Sequence, residues 1–266
     1  MAKAARAEGL AQEIVAVGRR REHLQPALED GAVDRITTDV AEGLAGSDFC
    51  VLATPVATLG SLLAEVWRAA PDDAVLTDVG STKAAIVSTA EALHRSRPLA
   101  FIGSHPMAGS EQSGYRVARA NLFRGALVVL TPTDASDPRA LTRVTLFWEQ
   151  LGARVTTLDP VTHDRAVAAI SHLPHLVADA LVDAVVRMDP NFLSVAATGF
   201  RDTTRIAAGN AQVWREIFQE NRQALGEALK TFREALDDLD HLIATGDAAA
   251  VERELDRIKR VRERLS

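Results

Sequence analysis

Apolar residues in the first 155 positions fall into short β-branched runs separated by stretches with helical spacing. Six runs predict strands, namely Ile14–Val17, Phe49–Ala53, Ala74–Thr77, Leu99–Ile102, Ala126–Thr131 and Arg154–Thr157. Between them, segments such as Leu59–Ala69 and Lys83–Leu93 repeat apolar residues at intervals of three and four, as a helix with one buried face does. Strands that alternate with helices are typical of βαβ units around a parallel sheet. The pattern therefore predicts an α/β, Rossmann-like domain.

The strand pattern stops after Pro160, and the chain has helical periodicity from Thr162 to Arg264. Turn-forming residues interrupt it at Asp189-Pro190, Gly199, Gly209-Asn210 and Thr245-Gly246-Asp247. We therefore predict a dinucleotide-binding domain in residues 1–158 and an all-helical domain in residues 159–266. The last helices carry an apolar stripe that suits a core or a dimer contact, formed by Phe232, Leu236, Leu239, Leu242 and Ile243.

The start of the chain departs from a complete Rossmann pattern. Such a fold opens with a strand, a G-x-G-x-x-G turn and a helix, whereas this chain begins within what reads as that first helix, Ala2 to Gly9. We expect the first strand and the glycine-rich loop to lie upstream of Met1, which would leave the domain incomplete and poorly stable because two strand edges would be exposed. The alternative is a domain that never had that strand.

Composition limits the class of protein. The 266 residues carry a net charge of -6, which provides no basic field for nucleic acid. Cys50 is the single cysteine, so a disulfide framework within the chain is excluded and a reducing, cytoplasmic location is favoured. No continuous apolar run reaches the roughly 18 residues typical of a membrane span, so no membrane partner is expected.

The segment from Gly103 to Glu111 follows a predicted strand, where ligands bind parallel sheets. His105 is followed by Pro106, which fixes the turn, and by Gly109. This arrangement suits a rigid loop that aims an imidazole at a ligand. A turn histidine bonded to backbone explains the spacing equally well.

Two further segments carry candidate chemistry within the helical half. His172 and His175 lie three residues apart and share a helix face, but no third ligand is near in sequence, so no metal site is expected; His172 has the pattern of a packed or capping residue. Arg205 lies three residues after Asp202, which could orient its guanidinium toward a carboxylate substrate. The alternative is a surface ion pair of little energetic value.

Taken together, these motifs resemble the prephenate/arogenate dehydrogenase family. The resemblance rests on Gly-Ser-His-Pro-Met-Ala-Gly-Ser-Glu from 103, Ile-Ser-His-Leu-Pro-His from 170 and Gly-Phe-Arg-Asp-Thr-Thr-Arg-Ile-Ala from 199. It extends to Ala53-Thr-Pro-Val, Thr77-Asp-Val-Gly-Ser-Thr-Lys and the stretch from Trp214 to Arg222. It implies NAD(P)-dependent oxidative decarboxylation of prephenate or arogenate in tyrosine biosynthesis, by a homodimer joined through its helical domain.

The resemblance also implies roles for single residues. His105 matches the histidine that takes the proton of the ring 4-hydroxyl, and Ser81 matches a serine that orients it near the nicotinamide. Arg205 matches the arginine that binds the side-chain carboxylate of the substrate. The remaining matches in the substrate site are His175 as a second histidine, Ser110 at the position that tunes prephenate against arogenate, and Glu111 and Asp202 in the ionic network of the arginine.

The cofactor expected is NADP, with NAD as the alternative. Gly18 stands where an acidic residue would bind a ribose 2′-hydroxyl, and three arginines follow it, which favours a 2′-phosphate. Arg19 and Arg20 are the predicted contacts, although Arg19 to Arg21 could merely open a solvated helix. Thr54, Pro55 and Ser81, in the matching turns, complete the predicted cofactor contacts.

Two other functions are consistent with parts of the sequence. A two-domain hydroxyacid-type dehydrogenase would rely on a lysine early in the helical domain, and none occurs between Thr162 and Arg187. A non-catalytic dimerising protein, or one impaired in cofactor binding, would explain the missing glycine-rich loop.

Overall fold

The computed structural model describes residues 1–109 and 114–265 as an α/β part followed by a helical part. The strands are β1 (Val15–Val17), β2 (Arg35–Thr37), β3 (Phe49–Leu52), β4 (Val75–Asp78), β5 (Ala100–Pro106), β6 (Leu127–Thr131) and β7 (Arg154–Thr157). The helices of the α/β part are α1 (Ala2–Ala7), α2 (Arg21–Glu29), α3 (Val40–Leu44), α4 (Val56–Ala69), α5 (Ala84–His94) and α6 (Pro138–Gln150). Those of the helical part are α7 (Pro160–Val167), α8 (Leu173–Met188), α9 (Thr198–Thr204), α10 (Ala211–Glu220), α11 (Arg222–Thr245) and α12 (Ala248–Arg262).

The strands form two sheets. β1 and β2 pair in parallel, and a five-stranded sheet has the order β3-β4-β5-β6-β7. β3, β4 and β5 are parallel, as are β6 and β7, but β5 and β6 pair antiparallel. The predicted fold class is confirmed, and the antiparallel pair departs from an all-parallel sheet. The reason is visible in the described part of the connection, where only a short 3₁₀ turn, Tyr115–Val117, stands in place of a crossover helix.

β4 is an inner strand of the five-stranded sheet, between β3 and β5. All four of its residues are buried, since helices cover both faces. On one face Leu59, Leu63 and Trp67 of α4 pack with residues of α5, and on the other Val144 and Trp148 of α6 pack with β5 and β6. This packing holds the carboxyl end of the sheet in place.

Two short elements were missed by the sequence reading. β2 has only three residues and α3 only five, too few for a period to appear. In addition, α4 begins at Val56 and not at Leu59, directly after Pro55 as its N-cap.

The helical part begins with a cap and contains a widened turn. The carboxylate of Asp159 accepts the N–H of Thr162 at 2.9 Å, and Pro160 occupies the first turn. Between α7 and α8, residues Ala168–His172 form a π-helical turn. Pro174 follows it and has no N–H to continue the α-helical ladder, which accounts for the local widening.

The stretch Pro160–Met188 is long and apolar enough, by length and composition, to cross a membrane. The expectation that no segment has that character considered only continuous apolar runs, and this helix mixes apolar and polar residues. Only 17% of its most apolar 18-residue stretch is buried within the protomer, so much of this surface is exposed to solvent.

Candidate functional site

The carboxyl ends of β3, β4 and β5 lie side by side. Leu52 pairs with Asp78, and Thr77 with Ile102. The segments that follow these strands therefore meet at one edge. They carry the predicted residues Thr54 and Pro55 after β3, Ser81 after β4 and His105 at the end of β5.

A buried ion pair fixes the end of β5. The ammonium of Lys83 contacts the carboxylate of Asp78, and both side chains are fully buried. Lys83 Nζ also donates to the carbonyl of Ser104 at 2.9 Å, while Asp78 accepts the N–H of Ser104 at 3.1 Å. The peptide before His105 is thus held from both sides.

His105 extends from this clamped strand toward the helical part. Its Nδ1 lies 2.9 Å from Nε2 of His163, the fourth residue of α7. Burial lowers the pKa of His105 well below 6.5, and unfavourable electrostatic interactions with His163, Lys83 and His172 lower it further. The imidazole is therefore neutral at physiological pH and can accept a proton.

His163 and its neighbour were missed by sequence reasoning. Nδ1 of the fully buried His163 lies 2.8 Å from Oδ1 of Asp164. Asp164 also accepts the first N–H groups of α5, from Lys83 at 2.7 Å and Ala84 at 2.9 Å. The only signal in the sequence is a Thr-His-Asp at the start of a helix, and its partner is 58 residues away.

A second set of contacts links this cluster to the two histidines of the π turn and α8. Asn221 Nδ2 donates to the carbonyl of Asp164 at 2.7 Å and lies 3.2 Å from Nδ1 of His172. His172 is buried, as expected for a packed residue, and burial lowers its pKa to about 4. The rings of His172 and Trp214 are arranged edge to face, with their centroids 6.2 Å apart.

His175 lies on the wall of a cavity of about 490 Å³ in the helical part. Its ring stacks on Trp214 with centroids 3.6 Å apart. Its Nδ1 is buried without a hydrogen-bond partner, and burial lowers its pKa, partly opposed by Asp179. The cavity is lined by His175, Asp179, Ala207, Gly209, Ala211, Trp214, Arg215, Phe218, Gln219 and Arg222. An apolar wall with an unsatisfied ring nitrogen suits a small polar ligand.

Arg205 begins the 3₁₀ turn Arg205–Ala208 that leads to this cavity. Asp202 is exposed on α9, which ends at Thr204, so the two residues lie on successive elements and not on one helix. Neither Arg205 nor His105 is among the residues that line the cavity. Ser110 and Glu111 lie outside the described residues.

Of the predicted cofactor contacts, Ser81 is half-buried and the other four, Arg19, Arg20, Thr54 and Pro55, are exposed. Arg19 and Arg20 follow β1 and are exposed, whereas Arg21 donates to the carbonyl of Ile36 at 3.2 Å. Pro55 is exposed, and its carbonyl accepts the N–H of Thr58 at 3.0 Å. Among the described residues, no hydrogen bond joins Ser81 to His105, and no group of three or more His, Cys, Asp or Glu side chains could hold a metal ion.

Comparison with protein families gives the decisive observation. Residues 1–157 match the model of the prephenate dehydrogenase nucleotide-binding domain, and residues 159–257 match that of the prephenate dehydrogenase dimerization domain.

The chain belongs to the prephenate dehydrogenase family.

Curated relatives agree with this assignment. A prephenate dehydrogenase from Lactococcus lactis subsp. cremoris is 32% identical over 257 residues, which cover 95% of this chain and 71% of the relative. A cyclohexadienyl dehydrogenase from Zymomonas mobilis subsp. mobilis is 32% identical over 219 residues, which cover 80% of this chain and 74% of the relative. The predicted oxidoreductase class is thereby confirmed for this member of the prephenate dehydrogenase family.

Solved structures of the prephenate dehydrogenase family have the same fold. The crystal structure of prephenate dehydrogenase from Aquifex aeolicus, in complex with hydroxyphenyl propionate and NAD+, superposes with a TM-score of 0.93 at 34% identity, covering 100% of this chain and 93% of that one. The Synechocystis arogenate dehydrogenase structure gives a TM-score of 0.85 at 32% identity, covering 100% and 95%. The nucleotide-binding domain match and the structure with NAD+ support a nicotinamide cofactor.

Proposed function

We propose that this chain catalyses the nicotinamide-dependent oxidative decarboxylation of prephenate, of arogenate or of both in tyrosine biosynthesis. The observation that carries the proposal is the position of His105, at the carboxyl edge of the sheet and against the helical part. Burial is the main cause that keeps its pKa low, so it is a neutral base at the place where ligands bind such sheets.

His105 takes the proton of the hydroxyl at ring carbon C4 in the proposed reaction. A hydride leaves a carbon that bears oxygen only as that oxygen supplies electron density, which requires a base in hydrogen-bond reach. Bound nicotinamide supplies the hydride acceptor. The ring carboxylate departs as carbon dioxide, and the electron pair of its bond to the ring moves through the ring to the C4 oxygen, which takes a proton back from His105. The ring becomes aromatic, which drives the step. A positioned base of this kind contributes roughly 10²–10⁴ in rate.

We propose Arg205 as the group that binds the side-chain carboxylate of the substrate. Its support is its place at the start of the turn Arg205–Ala208, since Ala207 of that turn lines the His175 cavity. Fixed guanidinium donors suit a carboxylate. The further assignments in this site are proposals of the same kind: His175 as a second substrate contact, Asp202 and Glu111 as the ionic network of Arg205, Ser110 as the residue that tunes prephenate against arogenate, and Ser81 as a residue that orients His105.

The residues present fit a nicotinamide dinucleotide at the carboxyl edge, where Thr54 and Pro55 are exposed after β3. Two exposed arginines, Arg19 and Arg20, follow β1, while Arg21 is bonded to the backbone of β2. Free guanidinium groups at this position favour a 2′-phosphate, so we propose NADP as the preferred cofactor over NAD.

We also propose that the chain is a homodimer joined through its helical domain and works in the cytoplasm. The match of residues 159–257 to a dimerization domain supports the first part. Among the described residues of the helical part, the most exposed large apolar side chains are Ile170, Met188, Val195 and Ile243. A single cysteine suits a reducing compartment.

A turnover assay tests this function. The purified protein is given prephenate or arogenate, each with NAD or NADP, and reduced nicotinamide is followed by absorbance. We expect turnover with at least one substrate and a higher kcat/KM with NADP. Absence of turnover in all four mixtures contradicts the proposed activity, and equal kcat/KM for the two cofactors contradicts selection by Arg19 and Arg20.

A further inference from the structure

Three side chains at the carboxyl edge of the sheet are joined by two consecutive hydrogen bonds. Nδ1 of His105 lies 2.9 Å from Nε2 of His163, and Nδ1 of His163 lies 2.8 Å from Oδ1 of Asp164. The two hydrogen bonds join the last residues of β5 to the first helix of the helical part. His163 is 0% exposed and Asp164 8%, so water does not compete for these hydrogen bonds.

The direction of each hydrogen bond follows from the carboxylate. Oδ1 of Asp164 accepts the N–H of Lys83 and Oδ2 accepts the N–H of Ala84. These are N–H groups at the start of α5, which have no partner within their own helix. A carboxylate held in this way has no proton to give. Nδ1 of His163 is therefore the donor in the contact with Asp164.

The direction of the hydrogen bond between His163 and His105 follows from the same count of protons. A neutral imidazole carries one N–H, so when Nδ1 of His163 holds the proton, its Nε2 is an acceptor. Nδ1 of His105 must then donate to it. His105 is neutral, because burial is the main cause that lowers its pKa, and its Nε2 is left with the free lone pair.

We propose that His163 and Asp164 are positioning residues that hold His105 as its Nδ1–H tautomer, with Nε2 as the base. The role in turnover rests on the proposed function, whereas the tautomer itself does not. When Nε2 accepts the hydroxyl proton, the O–H bond breaks and an N–H bond forms. The electron pair left on oxygen becomes the second bond of the carbonyl as the hydride passes from carbon to nicotinamide. The opposite tautomer would present an N–H to the hydroxyl and could not take its proton.

The opposite arrangement requires a doubly protonated His163. Its Nε2 would then donate to Nδ1 of His105, and His105 would carry its proton on Nε2. A net positive charge on a fully buried ring is costly, although the carboxylate of Asp164 would offset part of that cost. The two arrangements place the proton of His105 on different nitrogens, so they are distinguishable by spectroscopy.

Two substitutions of His163 separate positioning from packing. In His163→Gln, the side-chain amide oxygen can still accept from Nδ1 of His105 at the place of Nε2. His163→Met fills similar space and offers no comparable acceptor. His94→Met serves as the matched control, since His94 is at the end of α5 and its Nδ1 contacts the carbonyl of Leu99 at 3.0 Å.

The experiment combines long-range ¹⁵N–¹H spectra of histidine-labelled protein with steady-state kinetics. The His105 ring signals are assigned by their loss in His105→Asn. We expect the Nδ1–H tautomer in the wild type and in His163→Gln, with kcat within about fivefold of wild type in that variant. In His163→Met we expect a mixed tautomer and a fall in kcat of about tenfold or more at unchanged KM, since only part of the roughly 10²–10⁴ that a positioned base contributes is lost. His94→Met should change neither.

Either of two results overturns the proposal: an Nε2–H tautomer of His105 in the wild type, or His163→Met with tautomer and kcat unchanged. If His163→Met does not fold, the wild-type spectrum decides. An Nδ1–H tautomer in a protein without turnover would support this inference and contradict the proposed function, so the two fail separately.

Discussion

Burial sets the charge of the histidines between the two parts of the molecule. His105 and His172 both have lowered pKa values, in each case chiefly through burial. For His105 this keeps a base unprotonated where the proposed chemistry requires one. For both residues it also links folding to pH, because the unfolded chain binds protons that the folded protein does not.

His172 gives this link a defined window. Its folded pKa is about 4 against a reference value of 6.5, so the unfolded state binds more protons between those values. The contribution of His172 to the free energy of unfolding is therefore complete above about pH 6.5. It is lost as pH falls toward 4, by at most about 1.4 kcal/mol per pH unit. Urea denaturation at several pH values across the window measures the slope.

The matched variants for this slope are His172→Asn and His23→Asn. The first should give a shallower loss of stability with acid, since one titrating group is removed. His23 is exposed on α2, and its substitution should leave the slope as in the wild type. A slope identical in His172→Asn and wild type would contradict the assignment.

Substitution of Arg205 tests the proposed role of its guanidinium in substrate binding. For Arg205→Gln we expect the KM of the substrate to rise by at least about tenfold with an unchanged cofactor KM, because loss of one partner of a charged pair costs about 2–5 kcal/mol. Arg187→Gln is the control, since Arg187 pairs with Asp183 at 2.7 Å on the surface of α8. An unchanged substrate KM in Arg205→Gln would refute the carboxylate role.

At the scale of elements, the sequence predicted those with a period and missed those held by tertiary contacts. The strands that became β3 to β7 and the helical breaks near Asp189 and Gly246 were predicted because runs, turn residues and caps are local signals. β2 was missed because three residues show no alternation. The antiparallel pairing of β5 and β6 depends on the path of the connection between them, which no periodicity encodes.

The candidate site follows the same division. His105 was found because its motif is contiguous in sequence. The turn predicted at Pro106 is wrong, since Pro106 is the last residue of β5 and pairs with Val128 of β6. His163 and Asp164 were missed because their significance lies in a contact with β5 and the start of α5, far away in sequence. Similarly, the stacking of His175 on Trp214 joins α8 to α10, and neither helix alone indicates it.

Gly209 follows the 3₁₀ turn Arg205–Ala208 and contacts that stacked pair. A Cβ there would lie 2.6 Å from Nε1 of Trp214 and 2.9 Å from Cε1 of His175. Gly209→Ala should therefore displace the pair, lowering the free energy of unfolding by about 1–3 kcal/mol and raising the KM of the substrate. Chemical denaturation and kinetics measure the two effects.

Gly226 in α11 provides the contrast, since a Cβ there meets nothing within 4 Å. Gly226→Ala should raise the free energy of unfolding by about 0.5–1 kcal/mol through its helical preference. If Gly209→Ala were as harmless as Gly226→Ala, the cavity wall would not be packed as described.

At the scale of the whole molecule, the apolar surface of the helical part requires a partner. Met188 is 74% exposed and Val195 80%, and the helix before them is largely open. Large exposed apolar areas of this kind mark interaction sites, and the match to a dimerization domain indicates a second copy of the chain as the occupant.

Sedimentation measures this assembly. We expect a dimer for the wild type and a shift toward monomer for the double variant Met188→Asp and Val195→Asp, because charges at an apolar interface are costly to desolvate. Leu146→Asp in α6, where the side chain is 49% exposed, should remain dimeric. A monomeric wild type, or equal dissociation in both variants, would contradict a dimer through the helical domain.

The proposed reaction takes place where the carboxyl edge of the sheet meets the helical part, and His105 is its proposed base. The most direct measurement is the kcat of His105→Asn beside the dissociation constants for substrate and cofactor, with His94→Asn as the control. We expect a fall in kcat of about 10²–10⁴, with both dissociation constants within about threefold of the wild type. A kcat near the wild-type value would contradict the role of His105 as the base.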